Sequence, residues 1–500
     1  MASSGIRIVE EYAAKQVAGS TFRIMANGKT ILHECGATYS KGQTKGFPFD
    51  VREVFCLGLG HAHADHMGRL PELFRAGFNG KIYATQTTAA LANLQLKQDS
   101  AGAFFYNKRI MGKRIPGTND FIPFKESFKS ADIQKMMEMF ESESGKPGIS
   151  YEREVEIAPG IKIKFYEAGH IPGSAQTMYM IDENGRKTNM LLAYDLGRTD
   201  YKILGHPVND TPFVRFPATK FGEKVDYVVV EATYGDREHK PLEQSLGNLE
   251  SAIKEVEKTK GVLLAPAFSI MRTQMFRDFL FRFDNEGKLP GDMMIYTSSP
   301  GADDVDKIML ANMGDLDARA IEELRTPNRS SFCWDKYVRH KKVDETMKVI
   351  EERIGKAPTI VIASSGMCDM GRAVQLSRAV IGDERNIVLK LGYASHGSRM
   401  DIMSKAKKGD EIRYDDGSVK LEARVMEMGG LSGHADWKET EAQLRNMNDP
   451  NKGETFKAIF VKHGEEKACY ALAEKLKEAR NAGENIIVME PGQVYGHKSE

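Results

Sequence analysis

The chain has 500 residues, 41% hydrophobic and 28% charged, which excludes a fibrous or bulk-disordered protein and is enough for two to four domains. Lys plus Arg total 70 and Asp plus Glu total 70, so the formal net charge is zero, and any phosphate recognition has to come from local groups instead of a basic footprint. No apolar run reaches membrane-spanning length, Met1–Arg7 lacks the apolar core of a secretion signal, and the five cysteines (Cys35, Cys56, Cys333, Cys368, Cys469) form no Cys-x-x-Cys pair, so a cytoplasmic chain without membrane contact, disulfide framework or cysteine-based zinc site is expected.

The first 100 residues read as strands followed by strand–helix units. Thr30-Ile31-Leu32 and the run Val54 to Leu59 predict strands, the second ending at Gly60. Met67, Leu70, Leu73 and Phe74 predict one helix closed by Gly77; Lys81–Thr85 predicts a strand and Ala89–Lys97 a helix. Residues 100–150 are the least regular and read as an elaboration on the scaffold. They carry Lys108, Arg109, Lys113 and Arg114 among Phe104, Phe105 and Tyr106; this cluster and Arg339-His340-Lys341-Lys342 are read as solvated surface. Ile161, Ile163 and Phe165 alternate as in a strand. Met178–Ile181 and Met190–Ala193 flank Asn184-Gly185, a hairpin signal. The continuous apolar run Tyr227–Val230 predicts a strand covered on both faces.

From about residue 236 helices and strands alternate, which predicts a parallel sheet with helices on its faces. Leu246, Leu249, Ile253 and Val256 mark a helix with Gly261 after it. Met275, Phe276, Phe279 and Leu280 mark another. Strands are expected at Val262–Leu264, Met294–Tyr296, Ile360–Ile362 and Ile387–Leu389. A strand Ala458–Val461, a helix from about Lys467 to Arg480 and a strand Ile486–Val488 end the chain.

The strongest chemical signal is His61-Ala62-His63-Ala64-Asp65-His66, at the end of an apolar strand. Imidazole and carboxylate are the ligands that leave zinc Lewis-acidic and exchangeable. His61 and His63, two apart on an extended segment, project to one side and can share an ion; Asp65 and His66 lie past the bend and can reach a second.

This His-x-His-x-Asp-His run resembles the signature of the metallo-β-lactamase fold. Three further segments appear in the family's order: His170 in Ala168-Gly169-His170-Ile171-Pro172-Gly173, Asp195 after Leu191-Leu192-Ala193-Tyr194, and His463 in Val461-Lys462-His463-Gly464-Glu465. The resemblance implies one zinc on His61, His63 and His170, another on Asp65, His66 and His463, and Asp195 bridging them. Manganese is a credible substitute. Glu231-Ala232-Thr233-Tyr234-Gly235 and Leu431-Ser432-Gly433-His434-Ala435-Asp436 make the chain similar to β-CASP nucleases from about residue 5 to 480, with Glu231, His434 and His463 at that family's motifs A, B and C. The implied fold is an α/β αββα sandwich (residues 1–235 and 426–500) with an inserted α/β β-CASP domain of mainly parallel sheet (236–425). Several positions depart from the family's usual form: Glu34 in His33-Glu34-Cys35-Gly36, Gly60 before the motif, Tyr194 before Asp195, Gly433 before His434, and Ser395-His396-Gly397.

A histidine at motif C is the pattern of RNA-acting members, and the segments look most like the endonuclease subunit of pre-mRNA 3′-end cleavage and its prokaryotic relatives. The function implied is a zinc-dependent ribonuclease cutting single-stranded RNA endonucleolytically through metal-activated hydroxide, leaving 5′-phosphate and 3′-hydroxyl ends. Two ions about 3.5–4 Å apart suit such a displacement. The leaving oxygen needs a proton; His434, outside the ligand set, is the candidate acid, Glu231 its orienting carboxylate, and Asp65 is counted with them as catalytic. Ser364 and Ser365, Ser269 and Arg272, and His396 follow strands and are candidate phosphate contacts. The alternatives are a DNA nuclease of the same fold and a catalytically silent RNA-binding subunit. A homodimer or an RNA-processing complex is left open.

Overall fold

The computed structural model describes residues 5–37, 46–109, 128–198, 215, 217–316, 320–322, 330–392, 394, 396–429, 432–449, 452–480 and 484–496, with the backbone alone for 101–109. The cluster around Lys108 to Arg114 lies outside the described side chains, as do Tyr393, Ser395 and Leu431. Two compact units are present. One is Met1–Thr199, Phe216–Glu238 and Gly433–Glu500; the other is built mainly of His239–Ser432. Among the described residues no helix is long and apolar enough to cross a membrane.

The first unit pairs a six-stranded with a seven-stranded sheet. In the six-stranded sheet, Arg7–Glu10, Phe22–Ala26 and Lys29–His33 run antiparallel, and Lys29–His33, Val54–Gly58 and Lys81–Tyr83 run parallel. In the other, Val155–Ala158, Ile161–Glu167, Ala175–Glu183 and Arg186–Ala193 form an antiparallel meander. Arg186–Ala193, Tyr227–Glu231, Ala458–Lys462 and Ile486–Val488 then continue in parallel. The hairpin turn falls where Asn184-Gly185 predicts it. Both residues take positive φ, 55° and 86°, which suits the twist of the flanking strands.

Alternate side chains of the two sheets meet in one core, with Phe22, Ile24 and Ile31 facing Ile161, Ile163, Phe165 and Tyr179. The opposite face of the seven-stranded sheet is covered through Leu444 of the helix Trp437–Met447 and Cys469, Leu472 and Leu476 of the helix Glu466–Ala479. Tyr227–Glu231 lies between these layers, which explains its uninterrupted apolar run.

Two details differ from expectation. The helix after the histidine motif is two short ones, Ala64–Met67 and Leu70–Arg75. Pro71 stands in the first turn of the second, where its missing N–H costs nothing, so the chain restarts there. Around the stretch expected to be irregular, helices Gln86–Arg109 and Ser130–Glu138 are formed. The helix Leu242–Thr259 is capped by Lys260 at φ 53° with Gly261 after it, as expected. Gly261 also serves close approach, since a Cβ there would lie 1.9 Å from the Arg385 carbonyl oxygen.

In the second unit's six-stranded sheet the pairings are parallel, in the order Tyr337–Arg339, Met294–Ser298, Thr359–Ala363, Val262–Pro266, Ile387–Lys390, Arg424–Glu427, and a separate antiparallel hairpin joins Glu411–Tyr414 to Gly417–Lys420. Arg277, on the helix Arg272–Asn285, is fully buried and pairs through both terminal nitrogens with Asp306; Gln274 and Arg339 also reach Asp306. Removing one partner of such a pair leaves an uncompensated buried charge, so Asp306→Ala is expected to lower stability by about 3–5 kcal/mol. Urea denaturation followed by circular dichroism measures this; a loss near zero would mean water reaches Arg277.

Candidate metal centre

Three parallel strands of the seven-stranded sheet end at the same level, with Ala193 beside Val230 and Val230 beside Val461. Past those ends come Asp195, Glu231 and His463. From the other sheet, Val54–Gly58 delivers Gly60 and His61. Asp195 and His463 both adopt left-handed backbone, φ 54° and 52°, conformations uncommon for non-glycine residues and clustered at functional sites. The loop carrying the histidine motif is held through its carbonyls: Ala37, Ser20 and Cys35 amides donate to Ala64, Asp65 and His66 oxygens. Gly36 makes this possible, because a Cβ there would fall 1.6 Å from the Asp65 oxygen.

Seven residues from four stretches of the sequence converge. His61 Nε2 and His170 Nε2 each lie 3.1 Å from His63 Nδ1. Asp195 Oδ2 lies 3.3, 3.2 and 3.7 Å from His61, His66 and His170 Nε2, and Asp195 Oδ1 lies 3.3 Å from His463 Nδ1. Asp65 Oδ2 is 3.9 Å from both His66 and His463 Nε2. The ligand atoms fall into two groups, His61, His63, His170 with Asp195, and Asp65, His66 with His463.

The donor atoms themselves fit cations. His170 Nδ1 donates to the Gly433 carbonyl at 2.7 Å; an acceptor-only partner puts the proton there and the lone pair on Nε2, toward His63. Both ring nitrogens of His66 and of His463, and Asp195 Oδ1, are buried without a hydrogen bond. A neutral imidazole has one N–H and one lone pair, so this many nitrogens turned on one another and on a carboxylate suit a positive centre among them.

Burial lowers the pKa of His66 and His170 well below the usual histidine value, and that of His463 to about 4, so all three present lone pairs at neutral pH. Burial alone would raise the Asp195 carboxyl, but the imidazoles of His66, His463 and His61 hold it well below the carboxylate range. Asp65 is raised to about 6 by burial and by the Asp195 charge. Two carboxylates facing the same histidines repel each other in the absence of cations.

His434 stands beside this cluster, its ring 4.5 Å from that of His170 between centroids. Its Nδ1 meets Glu231 Oε2 at 2.8 Å and Oε1 at 3.1 Å. Glu231 is buried, and Oε1 also accepts the Leu196 amide at 2.8 Å, which ties it to the loop after Asp195. Burial raises the Glu231 pKa against the opposing pull of His434.

Glu34 was not among the site residues read from the sequence. It is buried at φ 64°, and its Oε1 accepts the Gly60 amide at 2.9 Å and lies 3.6 Å from His66 Nδ1 and from His33 Nε2. A Cβ at position 60 would come within 2.7 Å of that oxygen, so Glu34 and Gly60 require each other. Both positions stand out in the sequence as departures, and that pairing is the signal that could have found Glu34.

The remaining candidates lie in the second unit. Ser269 follows Val262–Pro266 and shares a 3.1 Å hydrogen bond with Ser299, which follows Met294–Ser298. Ser364 and Ser365 follow Thr359–Ala363, the strand between those two. Arg272 begins the helix after Ser269. These residues share the carboxyl edge of the parallel sheet, with Arg372, which donates to Ser298 Oγ and the His340 carbonyl. His396 has a side chain 95% exposed, 3.6 Å from Asp401. Arg339, Lys341 and Lys342 are exposed, as the solvated-surface reading expects, and Arg339 also pairs with Asp303 and Asp306.

A Beta-Casp domain profile matches residues 278–401, and a profile described as a Zn-dependent metallo-hydrolase RNA specificity domain matches residues 418–489. The chain is 27% identical over 491 residues to Ribonuclease TTHA0252 of Thermus thermophilus, covering 94% of this chain and 96% of that one. It is 27% identical over 503 residues to Transcription termination factor FttA of Methanosarcina mazei, covering 96% and 71%. It is 24% identical over 448 residues to Cleavage and polyadenylation specificity factor subunit 3 of Dictyostelium discoideum, covering 88% and 51%. With the αββα sandwich and the histidine–aspartate cluster at its strand ends, these matches show that the chain carries a Beta-Casp domain and is similar over nearly its whole length to β-CASP proteins of the metallo-β-lactamase fold.

Proposed function

We propose that this protein is a metal-dependent ribonuclease that hydrolyses phosphodiester bonds of single-stranded RNA, cutting internally and leaving 5′-phosphate and 3′-hydroxyl ends. The observation that carries the reading is His434, an imidazole outside the converged donor set yet beside it, with a buried carboxylate on its Nδ1. A hydrolase needs such a group to protonate a leaving oxygen; a binding subunit has no use for it. The names of the relatives, a ribonuclease and a cleavage factor subunit among them, support the substrate class.

His61, His63 and His170 would hold one zinc ion, Asp65, His66 and His463 a second, with Asp195 between them. Bound there, zinc supplies Lewis acidity toward a phosphoryl oxygen and lowers the pKa of water. His434 donates its Nε2 proton to the departing 3′ oxygen. Glu231 accepts from Nδ1–H, fixes the tautomer and stabilises the imidazolium before transfer. Ser269, Arg272, Ser364 and Ser365, at the carboxyl edge of the second unit's sheet, are the proposed phosphate contacts, since open α/β sheets bind ligands at that edge.

Purified protein incubated with 5′-labelled single-stranded RNA is expected to yield products with 5′-phosphate and 3′-hydroxyl ends. His434→Ala should slow cleavage by about 10²–10⁴-fold. Undiminished cleavage in that variant would remove His434 from its role, and faster cutting of a matched DNA strand would turn the reading to a DNA nuclease.

Glu231→Gln has a separate effect. A general acid works only while protonated, so activity falls as pH rises through its pKa. The Glu231 charge favours the protonated imidazole, and removing it should move the alkaline limb of the pH–rate profile to lower pH. An unmoved limb would mean another group is the acid.

Zinc that binds only the folded chain stabilises it by about 4 kcal/mol at a free concentration about 1,000 times its Kd. Thermal melting should therefore drop by several degrees after chelation and recover on adding zinc. Identical melting curves would count against the metal reading.

A further inference from the structure

Behind the donor cluster lies a fully buried ion pair that the proposed chemistry does not use. Lys462, the last residue of Ala458–Lys462, is 0% exposed, and so is Glu10 at the end of Arg7–Glu10. Lys462 Nζ donates to Glu10 Oε2 and, at 2.7 Å, to Ser20 Oγ. It also lies 4.2 Å from the centre of the Tyr194 ring. All three ammonium directions are thus used, two by oxygen and one by an aromatic face.

Two connections lead from this pair to the donor cluster. Glu10 Oε1 accepts the Ala13 amide at 3.0 Å, and the Ala13 carbonyl accepts the His463 amide at 3.0 Å. The contacts close a ring: Lys462 to Glu10, Glu10 to Ala13, Ala13 to His463, and His463 back to Lys462 through the peptide bond. On the other side, Tyr194 directly precedes Asp195 and stacks on His66 at 30° with ring centroids 6.2 Å apart. The residues before two left-handed donors, His463 and Asp195, therefore touch each other.

A buried pair is weak evidence for stability, because desolvating two charges offsets most of their attraction. This pair instead restricts geometry. Left-handed backbone at His463 and Asp195 persists only where neighbouring contacts over-determine it. Groups behind a metal ligand that fix its orientation commonly govern metal affinity.

We propose that Lys462, clamped by Glu10 and packed on Tyr194, is a positioning residue that sets the placement of His463 and of the Asp195–His66 pair, and so governs uptake of the ion held by Asp65, His66 and His463 more strongly than that of the ion held by His61, His63 and His170, which shares only Asp195 with it. The inference rests on the metal-site reading above, not on the RNA substrate.

The test titrates zinc into metal-free protein against a chromophoric chelator, with melting curves recorded separately to establish folding. Lys462→Met keeps the length and apolar stem but removes the charge; it should weaken one of the two zinc ions by roughly 10–100-fold and the other by clearly less. Tyr194→Leu, which leaves the Lys462–Glu10 pair intact, should do the same, whereas Tyr194→Phe should retain both. Cobalt substitution gives an independent signature: the visible bands of one site should change in Lys462→Met and those of the other persist. If Lys462→Met does not fold, the two Tyr194 variants decide. Native affinity for both ions in the folded variants, or equal weakening of both, overturns the proposal. A native chain that binds two zinc ions yet cuts no RNA would sink the proposed ribonuclease and leave this inference standing.

Discussion

A single buried carboxylate dictates the layout of the first unit. Asp195 has oxygens within 3.7 Å of nitrogens on His61, His66, His170 and His463, and those residues come from three separate stretches of chain. For one side chain to meet four imidazoles, strands from both sheets must stop at a common level. The parallel stretch of the seven-stranded sheet provides that for Asp195 and His463, and the parallel half of the six-stranded sheet provides it for His61. The antiparallel meander of the seven-stranded sheet adds His170, from the loop between Ile161–Glu167 and Ala175–Glu183, and the antiparallel strands have a second duty. They close the sandwich and supply the apolar core that excludes water from beneath the site.

The energetic conflict in this arrangement is its most informative property. Imidazole nitrogens and a carboxylate oxygen are buried without hydrogen bonds, which costs the fold free energy with no compensation from protein atoms. Natural structures tolerate such groups where function uses them. The contrast with Arg277 and Asp306 is direct. That pair is just as buried, yet its groups meet each other in a closed network, so it reads as structural. The donor cluster remains open toward a common centre.

Much of this was legible in the sequence, because both signals used there are local. Strand and helix periodicity located the strands that carry the donors and most of the second unit's parallel sheet, but not Arg7–Glu10, Phe22–Ala26 or Trp437–Met447. The His61–His66 run stated its chemistry within six residues, and the resemblance named His170, Asp195, His463, Glu231 and His434, all of which the structure brings to the same strand ends. What escaped was relational. Glu34 and Gly60 each looked like an isolated departure, and only their 2.9 Å contact shows that a longer carboxylate occupies the room a missing Cβ leaves. The split helix was missed for a different reason: the apolar spacing of Met67, Leu70, Leu73 and Phe74 runs on across the break that Gly68 and Pro71 mark.

Tyr194 and Lys462 carry the same lesson into the site itself. Each adjoins a donor in sequence, and neither offers an atom to the centre. A lysine closing an apolar strand reads, in isolation, as the point where the strand reaches solvent. The structure gives the opposite result, because Glu10 arrives from a strand about 450 positions away to neutralise it. A buried charge at such a place is costly unless its partner is fixed, and fixing the partner also fixes the backbone on which the next residue, His463, is carried. The same ion pair that makes the strand end expensive to desolvate therefore makes it hard to move, and rigidity just there is what a donor with left-handed backbone requires.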